Sequence, residues 1–204
     1  MNLPNKITVG RFALALGFFA FFVWADLEHS TQWWKPLAGA LVFGLAVVGD
    51  AFDGYYARKL GLQTDFGRIA DPVVDKVIVS GGLILLAGCE WARPYLPPWM
   101  VVLIIGREFM VNGLRGFIEA RGVAFPARWD GKLKMILQCI AIPLVLLWRT
   151  LDLSIPGERM LLKLTDYATC GVVWLTFATT IVSGVRYVTA AAQVLRSQGE
   201  ARGS

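Results

Sequence analysis

The 204-residue chain is one domain in length, 56% hydrophobic and only 17% charged, with a mean hydropathy of +0.55. That balance excludes a disordered chain and an ordinary soluble domain and points to a polytopic membrane protein. The net charge of +5 lies mostly in short connections between apolar runs. This distribution fits orientation and anionic lipid rather than a nucleic-acid partner, and none is expected.

In chain order, residues 2–7 read as a short interfacial lead-in, with Pro4 placed to start a helix. The opening lacks the features of a cleaved leader, so the first apolar segment is expected to be retained. A first membrane helix is predicted from Thr8 to Ala25, followed by a polar connection with Trp33 and Trp34 at the interface. A second runs from Lys35–Pro36 to Lys59, and Gly61–Gly67 reads as a turn. A third runs from Ile69–Pro72 to Cys89, and a fourth from Pro97–Pro98 to Ala120. Residues 121–134 read as a basic loop into a fifth helix ending near Leu147. Residues 149–164 read as a polar connection, and the sixth helix as Thr165 to Ala190. The fold expected is all-α, one six-helix transmembrane domain over residues 1–195, with a polar, frayed tail over 196–204. Cys89, Cys139 and Cys170 are scattered singly, which argues against a disulfide framework or a metal knuckle. His29, the single histidine, reads as a solvated loop residue.

Thirteen lysines and arginines fall on the side of the second turn, against five (Lys35, Arg93, Arg149, Arg159 and Lys163) on the other. The bias puts both termini on the cytoplasmic side of the membrane.

The segment GDAFDGYYARKLGLQTDFGRIADPVVDK sets Asp50, Asp53, Asp71 and Asp75 in strongly apolar surroundings. A carboxylate there is costly unless paired or bound to a cation. Asp50 and Asp53 share a helix face at i, i+3, and Asp71 and Asp75 share one at i, i+4. Two helices that each present two carboxylates can enclose oxygen ligands for a hard divalent cation such as Mg²⁺. Gly54 and Ala57 continue the first face with little side chain, and Arg58 is a fixed cation suited to phosphate. Helix capping would account for one carboxylate near a helix start, not for this spacing.

The pattern Asp50-x2-Asp53-Gly54-x2-Ala57-Arg58-x8-Gly67-x3-Asp71-x3-Asp75 resembles the full signature of the CDP-alcohol phosphotransferases. The resemblance implies a membrane enzyme that transfers a phosphatidyl-type group from a CDP-linked donor to an alcohol and releases CMP. It further implies that Asp50, Asp53, Asp71 and Asp75 ligate a pair of Mg²⁺ or Mn²⁺ ions and that Asp75 is the general base. Asp50, Asp53, Gly54, Ala57, Arg58 and Gly67 would serve the cytidine nucleotide, with the site at the cytoplasmic ends of helices two and three. A homodimer embedded among membrane lipids is expected on the same ground.

Arg107, Arg115, Lys132 and Lys134 form a candidate site for an acceptor that carries its own phosphate. Glu108, Asn112 and Arg115 form one helical stripe, with Arg107 about 100° away. The alternatives are that Arg115, Lys132 and Lys134 only orient the chain and that Arg107 only pairs with Glu108. The stretches NLPNKIT, TDFGRIADPVVDK, PPWMVVLIIGREFMVNGLR and GKLKMILQ resemble the phosphatidylglycerophosphate synthases within that family. This implies CDP-diacylglycerol as donor and glycerol-3-phosphate as acceptor, attacked through its primary hydroxyl. Inositol phosphate, serine or phosphatidylglycerol is the alternative acceptor. A cation transporter using the aspartates is the alternative of a different class, although such sites lie near the bilayer midplane rather than at helix ends.

Overall fold

A computed structural model describes the backbone of residues 3–59, 65–122, 129–155 and 159–203. It describes side-chain surroundings for residues 10, 12–49, 76–122, 129, 131–155 and 160–196. Among these residues the chain is all-helical, with six α-helices and no strand. They are α1 (Leu3–Trp24), α2 (Trp34–Lys59), α3 (Asp65–Gly88), α4 (Pro98–Glu119), α5 (Trp129–Ser154) and α6 (Arg159–Gly203). Within α5 and α6, Gly131–Ser154 and Met160–Arg196 are each long and apolar enough to cross a membrane. Shorter apolar stretches occupy Phe12–Trp24, Trp34–Gly49 and Lys76–Gly88.

Local sequence sets the helix limits. Pro98 opens α4 at its first turn, where a missing N–H costs nothing, behind an extended Pro97. The chain leaves α4 through Gly122, whose φ of +78° suits a residue without a Cβ. Helix α3 starts at Asp65, so Gly67 lies in its first turn rather than in the preceding connection. Helix α5 starts at Trp129, which moves Lys132 and Lys134 from the expected loop onto a helix. It also runs seven residues past Leu147. Its polar end satisfies itself within the helix: Thr150 Oγ1 donates to the Leu146 carbonyl at 2.9 Å and Ser154 Oγ to that of Thr150 at 2.7 Å. Arg149 pairs with Asp152 at 2.7 Å. The expected connection over 149–164 is thereby reduced to residues 155–158. Helix α6 is 45 residues long and stays helical through the polar end as far as Gly203, with no proline to stop it.

Helix α3 packs against α1, α4 and α5, while α6 packs against α4 and α5. Phe18, Phe43, Leu83 and Ile142, from four different helices, are fully buried together. The Phe18 and Phe43 rings meet edge to face at 5.3 Å. Gly82 permits this closeness, since a Cβ there would lie 3.1 Å from Ile142 Cδ1. At one end the connections between α1 and α2 and between α3 and α4 are clipped together. The Glu28 carboxylate accepts the Glu90 backbone N–H at 3.1 and 3.2 Å, and Trp91 Nε1 donates to the Leu27 carbonyl at 3.0 Å. The opposite end, where α4 finishes and α5 begins, holds the polar cavity described next. Large apolar side chains remain exposed along several helices, among them Val23, Leu45, Val102 and Phe109.

Candidate active site

Asp50, Asp53, Gly54, Ala57 and Arg58 fall on the last three turns of α2, and Gly67, Asp71 and Asp75 on the first three turns of α3. Their side chains lie outside the described residues, and so does any arrangement of the four carboxylates. Lys76, the residue after Asp75, is the first of α3 whose side-chain surroundings are described.

From Lys76 onward the geometry is explicit. A cavity of about 250 Å³ opens between α3, α4, α5 and α6. Lys76 and Ser80 line it from α3, and Arg107, Glu108, Asn112 and Arg115 from α4. Lys132, Lys134 and Gln138 come from α5, and Tyr187 from α6. The four cations singled out in the sequence therefore share one chamber with a fifth, Lys76. Arg107, about 100° from the polar stripe of α4, lines the cavity as well, because the space takes both faces.

Burial ranks these groups. Arg107 is 7% exposed and Lys134 5%, whereas Lys132 is exposed, its ammonium 5.4 Å from the centre of the Trp129 ring. Glu108 is the carboxylate between the two buried cations. Arg107 Nη1 lies 3.3 Å from its Oε1, and the Lys134 ammonium forms an ion pair with the same oxygen. Charges this deep persist only when paired, so Glu108 makes the pair of cations tenable. Arg107 Nη2 also donates to Ser183 Oγ at 2.7 Å, and its guanidinium lies 5.6 Å from the centre of the Tyr187 ring. Gly184 leaves the room for this, since a Cβ there would come within 3.0 Å of Arg107 Cγ. Arg115 Nη2 donates to Tyr187 Oη at 3.2 Å, while its buried Nε has no partner among the described residues.

Sequence reasoning did not pick out Ser183, Tyr187 or Gln138. For α6 a signal existed: Thr169, Val173, Thr176, Thr180, Ser183 and Tyr187 are all buried and recur at spacings of four and three. Such spacing marks the inward stripe of a helix even when its members are polar. Gln138 follows Lys134 at i+4 and shares its face of α5.

Beside the cavity an apolar groove of about 690 Å³ runs along α2 and α5, past Val47, Val48, Cys139, Pro143 and Leu147. Lys132 and Met135 line both spaces. A polar chamber rich in cations thus adjoins a groove that offers almost only hydrocarbon. This pairing suits a reaction between an anionic, water-soluble molecule and a lipid.

Comparison with known proteins agrees with this chemistry. The family model for CDP-alcohol phosphatidyltransferase matches residues 1–182. A CDP-diacylglycerol–glycerol-3-phosphate 3-phosphatidyltransferase of Bacillus subtilis is 41% identical over 192 residues, covering 91% of this chain and 93% of the relative. A protein of the same name from Rickettsia bellii is 32% identical over 191 residues, with 91% and 93% covered. A probable phosphatidylglycerophosphate synthase of Mycobacterium tuberculosis is 35% identical over 201 residues, with 98% and 85% covered. The signature on α2 and α3, the cation chamber beside it and a match over most of the chain converge: the protein belongs to the CDP-alcohol phosphatidyltransferase family.

Proposed function

We propose that the protein transfers the phosphatidyl group of CDP-diacylglycerol to sn-glycerol-3-phosphate, giving phosphatidylglycerophosphate and CMP. The observation that carries this reading is the chamber in which Arg107, Arg115, Lys132, Lys134 and Lys76 converge, Lys76 being the residue that follows Asp75 on α3. An acceptor bearing its own phosphate matches that excess of cations over the single carboxylate, Glu108, among the described lining residues. The names of relatives that are 32–41% identical over most of the chain support the same acceptor.

The acceptor phosphate is held by Arg107, Arg115 and the two α5 lysines, and its primary hydroxyl is turned toward α3. Attack of that oxygen on the lipid-side phosphorus forms the new P–O bond and breaks the bond to the CMP oxygen. The hydroxyl proton passes to the Asp75 carboxylate, which acts as general base. Gly54, Ala57, Arg58 and Gly67, with Asp50 and Asp53, hold the cytidine nucleotide. Asp50, Asp53, Asp71 and Asp75 are an all-oxygen donor set that fits hard cations, and they would hold two Mg²⁺ or Mn²⁺ ions. Such ions would offset the charge of the pyrophosphate. The acyl chains take the apolar groove of α2 and α5, next to the chamber.

All six helices span the bacterial cytoplasmic membrane, with both termini and the site on the cytoplasmic side, and the protein is a homodimer. The exposed apolar faces and the lysine and arginine bias support that placement. The test is CMP release by purified protein in detergent with CDP-diacylglycerol and Mg²⁺, with acceptor alcohols offered singly. Release with glycerol-3-phosphate alone, lost in Asp75→Asn, is the expected result. Release with inositol phosphate or serine instead would overturn the acceptor assignment, and none with any acceptor would overturn the reaction.

A further inference from the structure

Gln138 stands apart among the neutral polar groups of the chamber. Gln138 is 4% exposed, lines the cavity one helical turn beyond Lys134, and its Nε2 has no hydrogen-bond partner among the described residues. A buried amide left unsatisfied is destabilising, so such a group is retained where a ligand completes it. The other neutral side chains of the chamber differ: Asn112 and Ser80 are half-buried, and Tyr187 already accepts from Arg115.

We propose that Gln138 is a specificity-determining residue that binds the secondary hydroxyl of the acceptor. The inference rests on the glycerol-3-phosphate reading above. In that acceptor the phosphate goes to the cations and the primary hydroxyl to the reacting phosphorus. The secondary hydroxyl is left for a neutral partner. A carboxamide fits it because a hydroxyl both donates and accepts, and so satisfies either end of the amide. A site built around a buried hydrogen bond rejects an analogue that lacks the hydroxyl, since the protein group then stays unpaired. Gln138 thus separates glycerol phosphate from simpler alkyl phosphates that the cations alone would hold equally well.

The experiment compares kcat/KM for CMP release with sn-glycerol-3-phosphate and with 3-hydroxypropyl phosphate, which keeps the phosphate and primary hydroxyl but lacks the secondary one. Wild type is expected to favour glycerol-3-phosphate by about tenfold or more. Gln138→Met is expected to bring the ratio close to one, by raising KM for glycerol-3-phosphate and leaving 3-hydroxypropyl phosphate unchanged. Gln138→Asn, which keeps the amide but withdraws it, is expected to do the same and serves if the methionine variant does not fold. A wild-type ratio near one overturns the inference without the variants. An equal loss on both acceptors in the variants assigns Gln138 a purely structural role and also overturns it. Failure of wild type to release CMP with either acceptor is the separate outcome that overturns the acceptor reading beneath it.

Discussion

The Arg107 guanidinium donates to the Ser183 hydroxyl at 2.7 Å, a bond between α4 and α6 formed with both residues buried. It holds the deepest arginine of the chamber through Nη2, while Nη1 faces Glu108. Ser183→Ala is expected to cost about 1 kcal/mol of stability. It should also raise KM for glycerol-3-phosphate several-fold while KM for CDP-diacylglycerol stays constant. Thermal unfolding and initial-rate kinetics on the same preparation separate the two effects.

Glu108 holds two buried cations in place, with its own side chain 14% exposed. In Glu108→Gln the Arg107 and Lys134 charges face one another without a carboxylate. A loss of about 3 kcal/mol is expected, as for other broken buried pairs. A change under about 0.5 kcal/mol in denaturant unfolding would mean that solvent or another carboxylate takes over the role.

Tyr95 tests the opposite end of the bundle. It is buried, its ring stacks edge to face on Trp148 at 5.0 Å, and its hydroxyl donates to Asp166. Burial first, and the Asp166 carboxylate second, push the phenol well above its ordinary range, so it stays protonated throughout the working pH. Tyr95→Phe is expected to lower stability by about 1–2 kcal/mol and to leave both KM values unchanged. Together with Ser183→Ala it distinguishes a general loss of stability from loss of acceptor binding.

His29 and Asp26 form an exposed pair at 3.0 Å in the connection between α1 and α2. Their mutual hydrogen bond raises the pKa of His29 and lowers that of Asp26. The histidine contribution is therefore complete below its unfolded pKa and lost as pH rises through the folded value. The aspartate contribution is lost as pH falls through its own lowered value. NMR titration of this single histidine should give a pKa above about 6.5, returning toward it in Asp26→Asn.

Much of this architecture can be read from residues. Pro97–Pro98 gave the start of α4, and apolar runs gave the helices of the first half, except that α1 starts at Leu3 and takes in most of the expected lead-in over 2–7. The errors came where polar side chains satisfy themselves inside a helix. Thr150, Arg149, Asp152 and Ser154 look like a loop in sequence and extend α5 in the fold. Lys132 and Lys134 likewise look like loop charge, but Lys134 is buried against Glu108. The meeting of five cations depends on α3, α4 and α5 packing at one end, which no local pattern encodes. The aspartates fall on two helices, as their spacing predicts, and their side chains lie outside the described residues.

Asp75 and Lys76 are consecutive residues of α3, so the proposed base and one wall of the acceptor chamber share a single helical register. One residue inserted between them would rotate everything upstream by about 100° and shift it by about 1.5 Å relative to the chamber. On the proposed reading, chemistry and acceptor recognition are therefore measured off the same rod. The peptide between the two functions has no slack, and neither function can be retuned by sliding it past the other.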